Sequence, residues 1–169
     1  MKPRIYVSNQ FGFSELLRNH VLNAVIIPRL ETIGFEVLEP FGECKKYHDP
    51  TYFASIRLYD ERAAYLKDFN AKITSTNNAL IDSSNCMAAV LDGGHAVDDG
   101  TASEIGYYAG RKIGPVFALR SDFRLAENLA APVNIQIMDY ITQSGGLLID
   151  GPGAVEKWFL AIENFYKSM

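Results

Sequence analysis

Residues 86–91 read CMAAVL, and residues 92–110 continue DGGHAVDDGTASEIGYYAG. The first six residues are all apolar, which is the signature of a short strand covered on both faces. The glycines Gly93, Gly94 and Gly100 then open a loop, and a helical pattern follows from about Ala102 to Arg111. A buried strand, a Gly-rich loop and a helix form half of a βαβ crossover, the unit of a parallel sheet.

The same alternation continues in both directions. Upstream, Arg4–Ser8 reads as a first strand. Ser14 and Glu15 open a helical pattern that Gly34 ends, and Phe35–Leu38 reads as a second strand. Residues 40–50, PFGECKKYHDP, read as a loop, and residues from about Tyr52 to Ser84 as a helix in two pieces. Downstream, Pro115–Leu119 is a fourth strand. A helix spans Pro132 to Gln143, with Gly145-Gly146 closing it. Leu147–Ile149 is a fifth strand and Ala154–Lys167 a last helix. Five strands alternating with helices through right-handed crossovers predict an α/β, flavodoxin-like three-layer sandwich with a five-stranded parallel sheet. In such a sheet the ligand sits beyond the carboxyl ends of the strands, so residues 92–101 lie where a site is expected.

That loop has an unusual charge. Asp92, Asp98, Asp99 and Glu104 fall within residues 91–110, and no Lys or Arg does. A Gly-rich loop before a helix ordinarily cradles phosphate, but carboxylates at these places repel one. Ionised Asp and Glu instead accept hydrogen bonds from sugar hydroxyls, and a carboxylate can attack an anomeric carbon. The stretch also fits a capping box, Thr101-Ala102-Ser103-Glu104. On that reading Thr101 caps the helix, Glu104 satisfies a backbone N–H, and the aspartates favour the helix N-terminus. Both readings stand at this level.

Composition narrows the class. With 48% hydrophobic and 21% charged residues, 169 residues make one soluble globular domain over 1–169. A net charge of −4 argues against a nucleic-acid partner. No apolar run approaches the roughly 20 residues that span a bilayer, so no membrane association is expected. The N-terminus lacks a signal-peptide pattern, and Cys44 and Cys86 read as reduced thiols, so the expected location is cytoplasmic. Neither the cysteines nor His20, His48 and His95 show metal-ligand spacing. The loop does not match a calcium pattern, and no metal is expected.

The central stretch resembles the nucleoside 2-deoxyribosyltransferases. The matching residues are Leu91-Asp92-Gly93, then Asp98-Asp99-Gly100-Thr101-Ala102-Ser103-Glu104-Ile105-Gly106-Tyr107. The similarity extends in order to Ile5-Tyr6, Asp122-Phe123-Arg124, Pro132-Val133-Asn134 and Ser144-Gly145-Gly146. It implies exchange of the base of a 2′-deoxynucleoside for a free base, without a cofactor. Glu104 would be the nucleophile, forming a covalent deoxyribosyl intermediate with overall retention, and Tyr6 would hold it by a hydrogen bond. Asp98 and Gly100 would lie on the sugar side, with Asp98 on the 5′-hydroxyl. Asn134 would reach the 5′ end of a neighbouring subunit's substrate, which implies a homo-oligomer. The helix N-terminus is expected to help keep Glu104 ionised.

The chain also departs from the family pattern. Ser8-Asn9-Gln10 stands where Ala-Gly-Pro is common, and Asn77 where an acid serves the base. Asn77 can hydrogen-bond a base but cannot titrate. Asp92 is then the first candidate to protonate the leaving base and Asp82 the second, with Tyr47, Tyr52 and Phe53 as candidate base walls. Three other readings remain. One is a related hydrolase acting on nucleosides or their 5′-monophosphates, which Asp98 disfavours for the phosphorylated substrate. Another is a phosphoribohydrolase with a G-G-x-G-T-x-x-E loop, of which only the second half is present. The last is a nucleotide-sensing module without turnover.

Overall fold

The computed structural model describes residues 2–93 and 97–169; Gly94 and His95, both considered above, lie outside the described residues. Five parallel strands form one sheet: β1 (Arg4–Ser8), β2 (Glu36–Leu38), β3 (Cys86–Val90), β4 (Val116–Arg120) and β5 (Leu147–Asp150). Their order is β2-β1-β3-β4-β5, the flavodoxin-like arrangement expected from the alternation. Tyr6 pairs with Met87 and Phe117 with Leu147 in the register. All five residues of β3 are buried, as its unbroken apolar run requires.

Strand alternation sorts the core into two layers. On one face, Ile5, Val7, Ala88, Val90, Phe117 and Leu119 pack with Leu22, Leu30 and Trp158. The Trp158 indole N–H is satisfied by the Phe117 carbonyl at 2.8 Å. On the other face, Tyr6, Met87, Ala89 and Ala118 pack with Ile81, Ile105, Tyr108 and Ile137. Each fully buried large side chain contributes roughly 1.5–3 kcal/mol. The second layer matters for function, because it turns Tyr6 toward the helix that follows the acidic loop.

The first helical segment comprises α1 (Glu15–Leu17), a π-wound stretch over Arg18–Ile26 and α2 (Ile27–Ile33). The π winding ends just before Pro28, whose missing N–H and ring volume oppose a regular α turn. Gly34 stops α2 at φ 129°, and a Cβ there would fall 2.4 Å from the Tyr166 ring. Residues 40–50 are not the loop that the sequence suggests. They hold α3 (Pro40–Cys44), a 3₁₀ turn (Lys45–Tyr47) and the start of α4 (Pro50–Ser55). In both helices an acidic N-cap precedes a proline at the first helical position. Glu39 accepts from the Phe41 and Gly42 amides, and Asp49 from those of Thr51 and Tyr52. Proline suits that position, because the amide it lacks has no helical partner there.

The rest of the chain adds α5 (Tyr59–Asp82), α6 (Asp99–Arg111), α7 (Ile135–Gln143) and α8 (Ala154–Ser168). Helix α6 begins three residues earlier than its apolar pattern suggests, because Asp98 caps it and accepts from the Thr101 amide at 2.9 Å. Asn134 caps α7 in the same way through the Gln136 amide. No described helix is long and apolar enough to cross a membrane.

Candidate active site

The carboxyl end of β1 meets α6 at the switch point between β1 and β3, where strand order reverses. Tyr6 and Ser8 are two residues apart on the strand, so their side chains share a face. Both point at Glu104. The Tyr6 hydroxyl donates to Oε1 at 2.7 Å and the Ser8 hydroxyl to Oε2 at 2.5 Å. The Asn77 amide, from α5, lies 3.5 Å from Oε1. Glu104 therefore does not complete a capping box. Asp98 caps the helix in place of Thr101, and the Glu104 carboxylate faces the strand end.

Burial dominates the electrostatics. Desolvation raises the Glu104 carboxyl above its ordinary range, the hydrogen bonds from Ser8 and then Tyr6 pull it back, and the Asp98 charge pushes it up again. The helix N-terminus does not offset this, because its field fades within the first turn and Glu104 lies beyond it. Burial, followed by the Glu104 charge, drives the Tyr6 hydroxyl far above its usual value. Tyr6 therefore keeps its proton and acts as a donor. Two fixed donors on a desolvated carboxylate orient its lone pairs and partly offset the rise, favouring its ionised form.

Glu104 opens onto a cavity of about 500 Å³, within the range of small-molecule sites. Glu104, Asn77, Asp98 and Asn9 line it with polar groups. Phe13, Phe41, Phe69 and Ile73 line it with apolar side chains, the Phe13 and Phe41 rings edge to face at 4.9 Å. The carboxylates and amides suit hydroxyls and the aromatic side chains a flat ring. Gly100 and Thr101 also line it. Asp98 gives Oδ2 to the Thr101 amide and hydroxyl, and its Oδ1 has no partner among the described residues. Cys44, on the same wall, donates to Asn77 Oδ1 at 3.6 Å.

Not every residue expected at the site is gathered there. Asp92 does not line this cavity. Its carboxylate accepts from the Ser121 amide at 2.7 Å, the Ser121 hydroxyl and the Asp122 amide at 2.9 Å, holding the turn after β4. Asp82, at the far end of α5, accepts from the Tyr107 hydroxyl and pairs with Arg111. Asp122 and Arg124 form an ion pair beside Asp92. Asn134 is exposed on a separate groove, where its amide donates to Glu127 at 2.8 Å. Tyr47 accepts from the Thr76 hydroxyl. Tyr52 and Phe53 stack on Tyr65, and none of the three lines the cavity. The walls are instead Phe13, Phe41 and Phe69, and the second donor to Glu104 is Ser8. Its signal was its place two residues after Tyr6.

Comparison with known proteins bears directly on this arrangement. A sequence model of the nucleoside 2-deoxyribosyltransferases matches residues 5–153, most of the chain and all of the site. The chain belongs to the nucleoside 2-deoxyribosyltransferase family. That makes it a glycosyltransferase by class. Solved structures agree on the fold. The 2-deoxyribosyltransferase from Leishmania mexicana superposes with a TM-score of 0.59 at 19% identity, over 98% of this chain and 97% of that one. The 2-deoxyribosyltransferase from the psychrotolerant bacterium Bacillus psychrosaccharolyticus gives 0.51 at 19% identity, over 92% and 90%. No curated protein matches the chain in sequence.

Proposed function

We propose that this nucleoside 2-deoxyribosyltransferase-family protein exchanges the base of a 2′-deoxynucleoside for another free base through a covalent deoxyribosyl ester on Glu104. The observation that carries this reading is the Glu104 carboxylate, half-buried at the cavity and held by two strand hydroxyls. In the first half-reaction a Glu104 oxygen attacks the anomeric carbon, the bond to the base breaks, and the base departs with its electron pair. In the second, a new base attacks the anomeric carbon from the opposite side, the C1′–O bond breaks, and Glu104 departs as a carboxylate. Two inversions give net retention, and one shared intermediate gives ping-pong kinetics. Desolvation makes the carboxylate a stronger nucleophile, and the apolar walls hold the acceptor base in place of water.

Asp98 lines the cavity, its Oδ1 accepts a sugar hydroxyl, and its charge opposes a 5′-phosphate. Free deoxynucleosides are therefore the substrates. Asn134 lies outside its own chain's cavity and serves the 5′ end of a neighbour's substrate. On the same 121–135 segment, Phe123 is 94% and Leu129 93% exposed, apolar side chains suited to a subunit contact. The protein is accordingly a homo-oligomer.

The test is base exchange from 2′-deoxyinosine to adenine, followed by chromatography, with Glu104→Ala in parallel. New 2′-deoxyadenosine from the wild type and none from the variant is the expected result. Free hypoxanthine without 2′-deoxyadenosine would make the protein a hydrolase. Tight binding with no product would make it a sensing module.

A further inference from the structure

A purine leaves C1′ readily only if a ring nitrogen is protonated as the bond breaks. The residues expected to supply that proton are not at the cavity: Asp92 holds the Ser121 turn and Asp82 pairs with Arg111. Asn77 lines the cavity but cannot titrate. The ionisable side chains on the cavity wall are Cys44, Lys45, His48, Asp98 and Glu104. Glu104 must be anionic to attack. Asp98 caps α6, its carboxylate accepting from the Thr101 amide. Burial and the nearby Glu39 push the Cys44 thiol up, which makes it a poor acid. An alkylammonium is likewise a poor acid near neutral pH. Imidazole is the side chain matched to that task.

We propose that His48 is the general acid for the leaving base, an inference that rests on the transfer reaction proposed above. His48 follows the 3₁₀ turn Lys45–Tyr47 and shares the cavity wall with Phe69, its ring centroid 5.4 Å from that ring. Phe53 and Tyr65 flank it at 5.8 and 6.0 Å. Nδ1 lies 3.2 Å from the Tyr65 hydroxyl, which accepts from the Asp49 amide at 2.9 Å. The backbone thus fixes Tyr65, and Tyr65 fixes the imidazole. Nε2 has no hydrogen-bond partner among the described residues, so it is the nitrogen left for substrate. An anchored ring on the wall of a base-sized cavity is placed to meet a ring nitrogen of the bound base.

The step balances. Glu104 forms the C–O ester bond as the C1′–N9 bond breaks, and the electron pair goes to the purine. The imidazolium Nε2 proton passes to purine N7 or N3, leaving neutral imidazole, neutral base and a neutral ester. The second half-reaction reverses it. An incoming base protonated at that ring nitrogen attacks through N9 and returns its proton to Nε2.

The experiment compares wild type with His48→Gln on deoxyribosides of purines of increasing acidity, ending with 7-methyl-2′-deoxyguanosine, whose base leaves uncharged without a proton. With 2′-deoxyinosine the variant should lose roughly 10²-fold or more in kcat/KM. The loss should shrink steadily along the series, to less than about 10-fold for the methylated donor. A uniform loss across the series would mean that His48 only shapes the pocket, and no loss would mean that it is idle; either overturns the proposal. His48 is exposed, so its replacement leaves the core intact. A wild-type enzyme inert on every donor would overturn the transferase reading itself, and the role of His48 with it.

Discussion

Ser8→Ala should move the acidic limb of the activity profile to higher pH. The Ser8 hydroxyl is one of two close donors to the Glu104 carboxylate, at 2.5 Å against 2.7 Å for Tyr6. A hydrogen bond to a charged group contributes about 1.5–3 kcal/mol, so its loss weakens the ionised form by roughly 10- to 100-fold. The sign follows from what the bond does. Burial raises the Glu104 carboxyl and Ser8 lowers it, so removing Ser8 raises it further. At low pH, where the protonated form dominates in both proteins, the whole factor should appear in kcat/KM for the donor. At higher pH, where Glu104 is ionised in both, the two curves should converge. The assay is base exchange from 2′-deoxyinosine to adenine across about pH 5 to 9, with circular dichroism confirming the fold. An acidic limb that stays in place or moves to lower pH would refute the claim that Ser8 holds Glu104 ionised.

Three further outcomes follow from the same geometry. Because burial raises the Glu104 carboxyl, its ionised form costs stability: that contribution is favourable below the unfolded carboxyl's pKa and is lost as pH rises through the folded one. Glu104→Gln should therefore raise Tm at pH 8, by on the order of 3 °C, and gain little at acid pH; an equal gain at both would contradict the burial argument. Asp98→Asn keeps a capping side chain on α6 but removes the charge. The ratio of 5′-monophosphate to free nucleoside turnover should then rise by about 10-fold or more, and competition between the two substrates measures it. At Gly146 a Cβ would fall 2.0 Å from the Val116 carbonyl oxygen, so Gly146→Ala should destabilise the β4–β5 edge by about 3 kcal/mol or more, read by chemical denaturation.

Elements whose signal is local were the legible part of the fold. The apolar run at 86–91 is a central strand because it is covered on both faces, and the run itself says so. Residues 40–50 were missed because polar side chains and prolines suggest a loop. Glu39-Pro40 and Asp49-Pro50 are helix starts all the same, an acidic cap followed by a residue that needs no amide partner. In the site, Tyr6 and Glu104 could be paired only through resemblance, since nothing in 98 residues of separation says that they meet. Asp92 shows the limit of position in a loop. It stands beside the acidic cluster in sequence, but its carboxylate turns to the backbone after β4. Phe13, Phe41, Phe69 and His48 carry no signal of their own, because the wall they form depends on how α5 and the 40–50 segment pack together.

The central claim is the covalent ester on Glu104, and intact-mass spectrometry tests it most directly. The protein would be mixed with 2′-deoxyinosine without an acceptor base, quenched in acid, weighed and mapped by peptide. A covalent intermediate gives a mass gain of one deoxyribosyl unit on the peptide carrying Glu104, lost when adenine is added and absent from Glu104→Ala. Active exchange with no adduct at Glu104, or an adduct on another residue, would contradict it.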